Sequence, residues 1–196
     1  STIEVKSIFE RYSNHLVDLI RKGSGSEKEK PLEGLRIIVD AGNGAGGFYA
    51  EKVLEVLGAN TQGSQFLDPD GTFPNHIPNP DNKEAMGSIK NQVLAVGADY
   101  GVIFDTDVDR AAVVTGDGEL LNRNNLIAVL SVIAISEHPG TTIVTNSPTT
   151  EHLKRFITEL GGHQYRYISG YRNVINKAIQ LNEAGTDCQL AIETSG

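Results

Sequence analysis

Apolar positions recur along this chain with two alternating periods. Ile3, Ile8, Phe9, Tyr12, Leu16, Leu19 and Ile20 return about once per helical turn, which predicts an amphipathic helix. Residues 23–31, GSGSEKEKP, are small, charged and proline-ended, and read as a flexible connection. From Leu35 the order is a strand (LRIIVD), a helix (FYAEKVLEVLG), a short strand over 61–66 and a polar loop rich in proline and asparagine. A helix over 82–96 and a buried strand, ADYGVIF, come next. RAAVVTGDGELL predicts a hairpin about its Gly-Asp-Gly turn, which places an antiparallel edge on a mainly parallel sheet.

A second alternation begins at NLIAVLSVIAIS (helix) and runs through TTIVTN (strand), TEHLKRFITELG (helix), HQYRYI (strand), YRNVINKAIQLN (helix) and CQLAIE (strand). Strands separated by helices of this length imply βαβ units. The expectation is two consecutive three-layer α/β/α domains with mixed, mainly parallel sheets, the second incomplete. Residues 1–31 form a leading helix and linker, 32–122 the first domain and 123–196 the second.

Composition narrows the classes. With 196 residues, 39% apolar and 21% charged, the chain has material for folded cores, and it holds no apolar tract of about 18 residues that would span a membrane. A net charge of −8 excludes a protein that coats nucleic acid, which needs a surplus of lysine and arginine. Cys188 is the only cysteine, so intrachain disulfides and cysteine metal clusters are excluded, as suits an intracellular, reducing compartment. The sequence opens without an initiator methionine or signal peptide and stops just after an apparent buried strand. A fragment of a longer protein is therefore expected.

The densest chemistry lies in FDTDVDR, where Asp105, Asp107 and Asp109 precede Arg110. Carboxylates drawn to one point at a strand end repel by about 4 kcal/mol per pair at 4 Å and an effective dielectric of 20, so convergence calls for a hard cation. An EF-hand loop also begins D-x-D-x-D, but its sixth position requires glycine and its twelfth glutamate, where this chain has Arg110 and Gly116. Magnesium at the carboxyl end of a strand suits phosphate chemistry; the plain alternative is a solvated acidic turn. GNGAGG, from Gly42 to Gly47, matches the dinucleotide pattern G-x-G-x-x-G, with Asp68 about 20 residues further on. That leaves open a nicotinamide-dependent oxidoreductase beside the reading as a tight turn that needs glycine for steric reasons.

SGYRN, from Ser169 to Asn173, enters a helix whose amides and arginine suit an anion, and ETSG, from Glu193 to Gly196, ends a strand with an acid and a hydroxyl that suit a sugar. Taken alone, each reads as an ordinary capping turn, and their joint occurrence at strand ends favours the functional reading. His15, His76, His138, His152 and His163 show no ligand spacing and take surface or capping roles by default.

In order, VDAGNGAGG, FPNHIPNP, FDTDVDR, SGYRN and ETSG resemble the α-D-phosphohexomutase family of phosphoglucomutases and phosphomannomutases, specifically its second and most of its third domain. The resemblance implies a Mg2+ held by Asp105, Asp107 and Asp109, with Arg110 beside the phosphoryl group. It implies sugar recognition by Glu193 and Ser195 and a substrate-facing loop at Gly170, Tyr171 and Arg172. GNGAGG then serves the fold instead of a nucleotide. The activity implied is migration of phosphate between positions 1 and 6 of a hexose phosphate, through a phosphoserine enzyme and a bisphosphate intermediate. The chain has no Ser-His pair and so no counterpart of the family's T-A-S-H-N-P serine loop. The loop TNSPTT lacks the basic residue many members place there. The expected partners are the hexose phosphate and the missing first and fourth domains; alone, the chain is expected to be inactive. The expected location is the cytoplasm, or a plastid if a transit peptide has been removed. A catalytically silent sugar-phosphate-binding homologue is the other reading within the family.

Overall fold

The continuous apolar runs become central strands because helices cover both of their faces. A computed structural model describes residues 7–121 and 124–194 and divides into two units, Ser1–Leu120 and Leu121–Gly196. In the first, β1 (Ile37–Asp40) pairs in parallel with β2 (Tyr100–Phe104), and β2 pairs antiparallel with β3 (Ala111–Thr115). Side chains alternate across β1. Ile38 packs with Ile103, Ala112 and Val114 beneath Ala85, Ile89 and Val93 of α2 (Lys83–Val96), while Ile37 and Val39 face Ala50, Leu54 and Phe104 on the other side. The leading helix α1 (Phe9–Gly23) seats Val17 against Val53 and Leu57. Ile3 lies outside the described residues, and Gly23 belongs to the helix instead of the connection.

The expected helix FYAEKVLEVLG is not regular. A 3₁₀ turn over Ala45–Gly47 leads into a π turn over Ala50–Leu54, with the Glu55 amide donating five residues back to the Ala50 carbonyl at 3.0 Å. The expected strand over 61–66 is reduced to isolated parallel bridges, Arg36 with Asn60 and Asp40 with Gln65. A turn interrupts it: Ser64 N donates to Thr61 O at 3.0 Å, and Gly63 sits at φ 108°. The second arm of the expected hairpin contributes a single bridge, Leu120 to Val114. The antiparallel edge is present as predicted.

The second unit follows its predicted alternation closely: α3 (Asn124–Glu137), β4 (Thr142–Asn146), α4 (Glu151–Glu159), β5 (His163–Tyr167), α5 (Tyr171–Glu183) and β6 (Cys188–Ile192). Its sheet is parallel in the order β5-β4-β6. Ile143 faces Ile127, Leu153 and Ile157 of α3 and α4, and Val144 faces Val174 and Ala178 of α5. Among the described residues, no helix is long and apolar enough to cross a membrane.

Candidate functional site

The acidic loop begins where β2 leaves the sheet. Phe104 is anchored in the core, and the chain then curls back so that Asp105 N donates to Arg110 O at 3.1 Å while Arg110 N donates to Asp105 Oδ1 at 2.9 Å. Val108 takes φ 68° in this curl, a left-handed conformation that costs a β-branched residue energy and is held by the surrounding contacts. The alternate aspartates are thereby gathered on one side. A carboxylate oxygen from each of Asp105, Asp107 and Asp109 lies within 4.8 Å of the others.

Electrostatics separate the three. Asp105 is 2% exposed, and burial alone pushes its carboxyl upward. The Arg110 amide, Asp109 and the Arg110 guanidinium together outweigh burial and hold Asp105 below the usual carboxylate range. Asp109 is raised, first by its shared contact with Asp105 and then by the charges of Asp105 and Asp107. This is the crowding that a cation relieves. The donor set is carboxylate oxygen alone, on a loop with two exposed members, which fits a hard ion such as magnesium and not a thiophilic metal.

Arg110 braces the loop. Its Nε donates to Asp105 Oδ2 at 3.1 Å, and its Nη1 donates to Asn79 Oδ1 at 3.2 Å, with Asp81 Oδ2 4.0 Å away. Neither Asn79 nor Asp81 was singled out by the sequence. The nearest signal was the rigid FPNHIPNP loop that carries Asn79.

GNGAGG packs against the same loop. The amides of Gly42, Asn43, Gly44 and Ala45 donate respectively to Asp40 Oδ1 at 2.9 Å, Phe66 O at 2.8 Å, Ala41 O at 2.7 Å and Thr106 O at 2.9 Å. A pyrophosphate cradle needs such amides free. A methyl group on Gly44 would meet Thr106 O at 2.8 Å, and one on Gly47 would meet Leu67 O at 1.8 Å. The glycines admit neighbouring protein backbone where a dinucleotide site would admit phosphate. His76 also departs from its default surface role: it is buried, with Nε2 3.0 Å from both Asp40 oxygens. His15, His138, His152 and His163 are exposed.

In the second unit the carboxyl ends of the parallel strands gather the other predicted residues. Gly170 opens α5 at φ 118°, a conformation open chiefly to glycine, and its amide donates to Glu193 Oε1 at 2.6 Å. This carboxylate occupies an amide that the sequence left free for an anion. Tyr171 and Arg172 follow, both exposed. Thr194 N donates to Asn146 Oδ1 at 3.1 Å, tying the end of β6 to β4. Ser195 lies outside the described residues.

Fold and site together define an α/β protein with a cluster of three carboxylates beside an arginine, at the carboxyl end of a central strand. Residues 10–118 match the family model "Phosphoglucomutase/phosphomannomutase, alpha/beta/alpha domain II". The chain is 35% identical over 162 residues to a phosphomannomutase/phosphoglucomutase of Pseudomonas syringae pv. tomato, covering 83% of this chain and 34% of that protein. It is 31% identical over 194 residues to a protein of the same name from Pseudomonas putida, covering 99% and 39%. A crystal structure of a phosphoglucomutase/phosphomannomutase family protein from Burkholderia thailandensis aligns with a TM-score of 0.82 at 30% identity, over 98% of this chain and 39% of that one. The chain belongs to the phosphoglucomutase/phosphomannomutase family. It spans between a third and two fifths of the length of these relatives.

Proposed function

We propose that this chain is part of a magnesium-dependent phosphohexomutase that moves phosphate between positions 1 and 6 of a hexose phosphate. The observation that carries the reading is the convergence of the Asp105, Asp107 and Asp109 oxygens within 4.8 Å, in a chain of this family. The relatives' names supply the reaction class.

On this reading Asp105, Asp107 and Asp109 hold Mg2+, which when bound neutralises charge developing on the transferring phosphoryl group. Arg110, fixed by Asp105 and Asn79, turns its remaining N–H groups to the phosphoryl oxygens. In the second unit, Glu193 is oriented by the Gly170 amide to accept hydrogen bonds from sugar hydroxyls, with Ser195, Tyr171 and Arg172 as further contacts. The phosphoryl group passes from a serine oxygen to the free sugar hydroxyl, the hydroxyl proton ends on the released serine oxygen, and a bisphosphate results. The phosphate at the other end then returns to the serine. That serine belongs to a part of the protein outside this chain, so the chain alone is expected to bind but not turn over.

Calorimetric titration with magnesium tests the loop. Wild type binds weakly, because the phosphoserine that completes the site is missing. Asp107→Ala, at an exposed position where folding is little disturbed, abolishes the heat. Equal heats in both proteins would overturn the metal assignment.

A further inference from the structure

Two sequence features find no direct role in the chemistry above: Asp40, near the start of VDAGNGAGG, and the proline-framed FPNHIPNP. They meet in the core. His76 reaches in from its loop with 2% of its side chain exposed, and Asp40, at the carboxyl end of β1, is wholly enclosed. Asp40 also accepts from Gly42 N at 2.9 Å and from Gln65 Nε2 at 2.7 Å, and Gln65 in turn reaches Ser88 Oγ at 2.7 Å. The other ring nitrogen of His76, Nδ1, lies 3.1 Å from Ile77 O. The ring rests edge-on against Phe66 at 5.4 Å. Pro78 is packed so closely over Gly42 that a methyl group there would stand 2.8 Å from its Cβ.

Three residues beyond His76 the same loop presents Asn79. Pro74, Pro78 and Pro80 limit the loop's backbone freedom and remove three amides, so its shape is set by what it grips. Asn79 Oδ1 accepts from Asp81 N at 2.9 Å, which turns the side-chain oxygen in a defined direction, and accepts from Arg110 Nη1 at 3.2 Å. The Arg110 Nε–Asp105 contact alone leaves the guanidinium able to swing. A second contact at a different nitrogen fixes its plane. Nη2 is then left without a protein acceptor among the described residues, on a side chain 40% exposed.

We infer that Asn79 is a positioning residue for Arg110, and that the buried His76–Asp40 pair clamps the proline loop to the sheet so that Asn79 can act. Both anchors lie at carboxyl ends of adjacent paired strands: Asp40 on β1, and Asp105 just beyond β2. The clamp therefore references the arginine to the same rigid edge that carries the aspartates. The inference deepens the reading of Arg110 as the group that meets a phosphoryl anion, but it concerns the arginine's own order and is tested without turnover.

The readout is the Nε–Hε signal of Arg110 in nitrogen–proton correlation spectra of the 196-residue chain, assigned by its loss in Arg110→Lys. Asn79→Ala speeds exchange of that proton with water by about tenfold, the scale of one hydrogen bond to a charged group, while the amide signals of β1 and β2 stay in place. Asn79→Asp keeps an acceptor oxygen and restores slow exchange. His76→Gln reproduces the effect of Asn79→Ala at a distance. Unchanged Arg110 exchange in Asn79→Ala overturns the inference, as does equal loss in Asn79→Ala and Asn79→Asp. If His76→Gln unfolds the first unit, the two Asn79 variants decide alone. Absence of mutase turnover in the longer protein would refute the proposed reaction but leave this result standing.

Discussion

Gly47→Ala tests why GNGAGG is rich in glycine. The added methyl carbon would lie 1.8 Å from Leu67 O, 2.7 Å from Leu67 C and 3.0 Å from Leu67 Cα. The obstacle is backbone, so no rotamer change relieves it, and the Leu67 carbonyl must retreat by more than about 1 Å to reach ordinary contact. It cannot do so freely. The next carbonyl, Asp68 O, accepts from Asn43 Nδ2 at 2.8 Å, and Phe66 O accepts from Asn43 N at 2.8 Å. Overpacking against a tethered backbone puts the loss at about 3 kcal/mol, the upper part of the usual range. Gly47 does not have a left-handed φ, so the loss is steric and not conformational. Gly71→Ala is the matched control, because nothing lies within 4 Å of a methyl group there. Urea unfolding followed by circular dichroism reads the difference: at a slope of about 2 kcal/mol per molar, Gly47→Ala lowers the midpoint by roughly 1.5 M. A midpoint for Gly47→Ala equal to that of Gly71→Ala would refute the packing account and reopen the reading of these glycines as a phosphate cradle.

Gly87→Ala, within α2 where a methyl group meets nothing within 4 Å, should raise stability by about 0.5–1 kcal/mol through helix propensity and lower unfolded-state entropy; an unchanged urea midpoint would contradict this. Glu151, in the first turn of α4, is held below the usual carboxylate range by its hydrogen bond and then its charge interaction with Arg166. A depressed folded value means the contribution is present above the unfolded glutamate range and is lost as pH falls through the folded value. The stability gap between wild type and Glu151→Gln should therefore be open at neutral pH and close in acid, and should narrow with salt because the pair is exposed. A gap that widens in acid would reverse the assigned sign.

Much of the candidate site was legible because its members are neighbours in sequence. Asp105, Asp107, Asp109 and Arg110 sit within six residues, and the apolar run before them marks the strand that delivers them. Glu193 and Gly170 could be named from their motifs, but their hydrogen bond spans 23 positions and has no signature in either stretch. The strand over 61–66 was misjudged because alternation cannot foresee the turn at Gly63. The irregular helix after Gly47 was invisible because a single 3₁₀ or π turn is too short for its different period to show in the apolar pattern.

What the sequence determined by itself is what short-range chemistry controls. Asn82 caps α2 through bonds to Glu84 N and Ala85 N, the βαβ alternation dictates parallel pairing, and alternate aspartates at a strand end crowd like charges into one loop. Tertiary structure alone decided which distant groups meet. The strand order β5-β4-β6, the enclosure of His76 against Asp40 across 36 positions and the reach of Asn79 to Arg110 across 31 depend on how layers stack. A buried polar pair is selected by the partners available in the folded interior, and those are set only when the sheet closes over them.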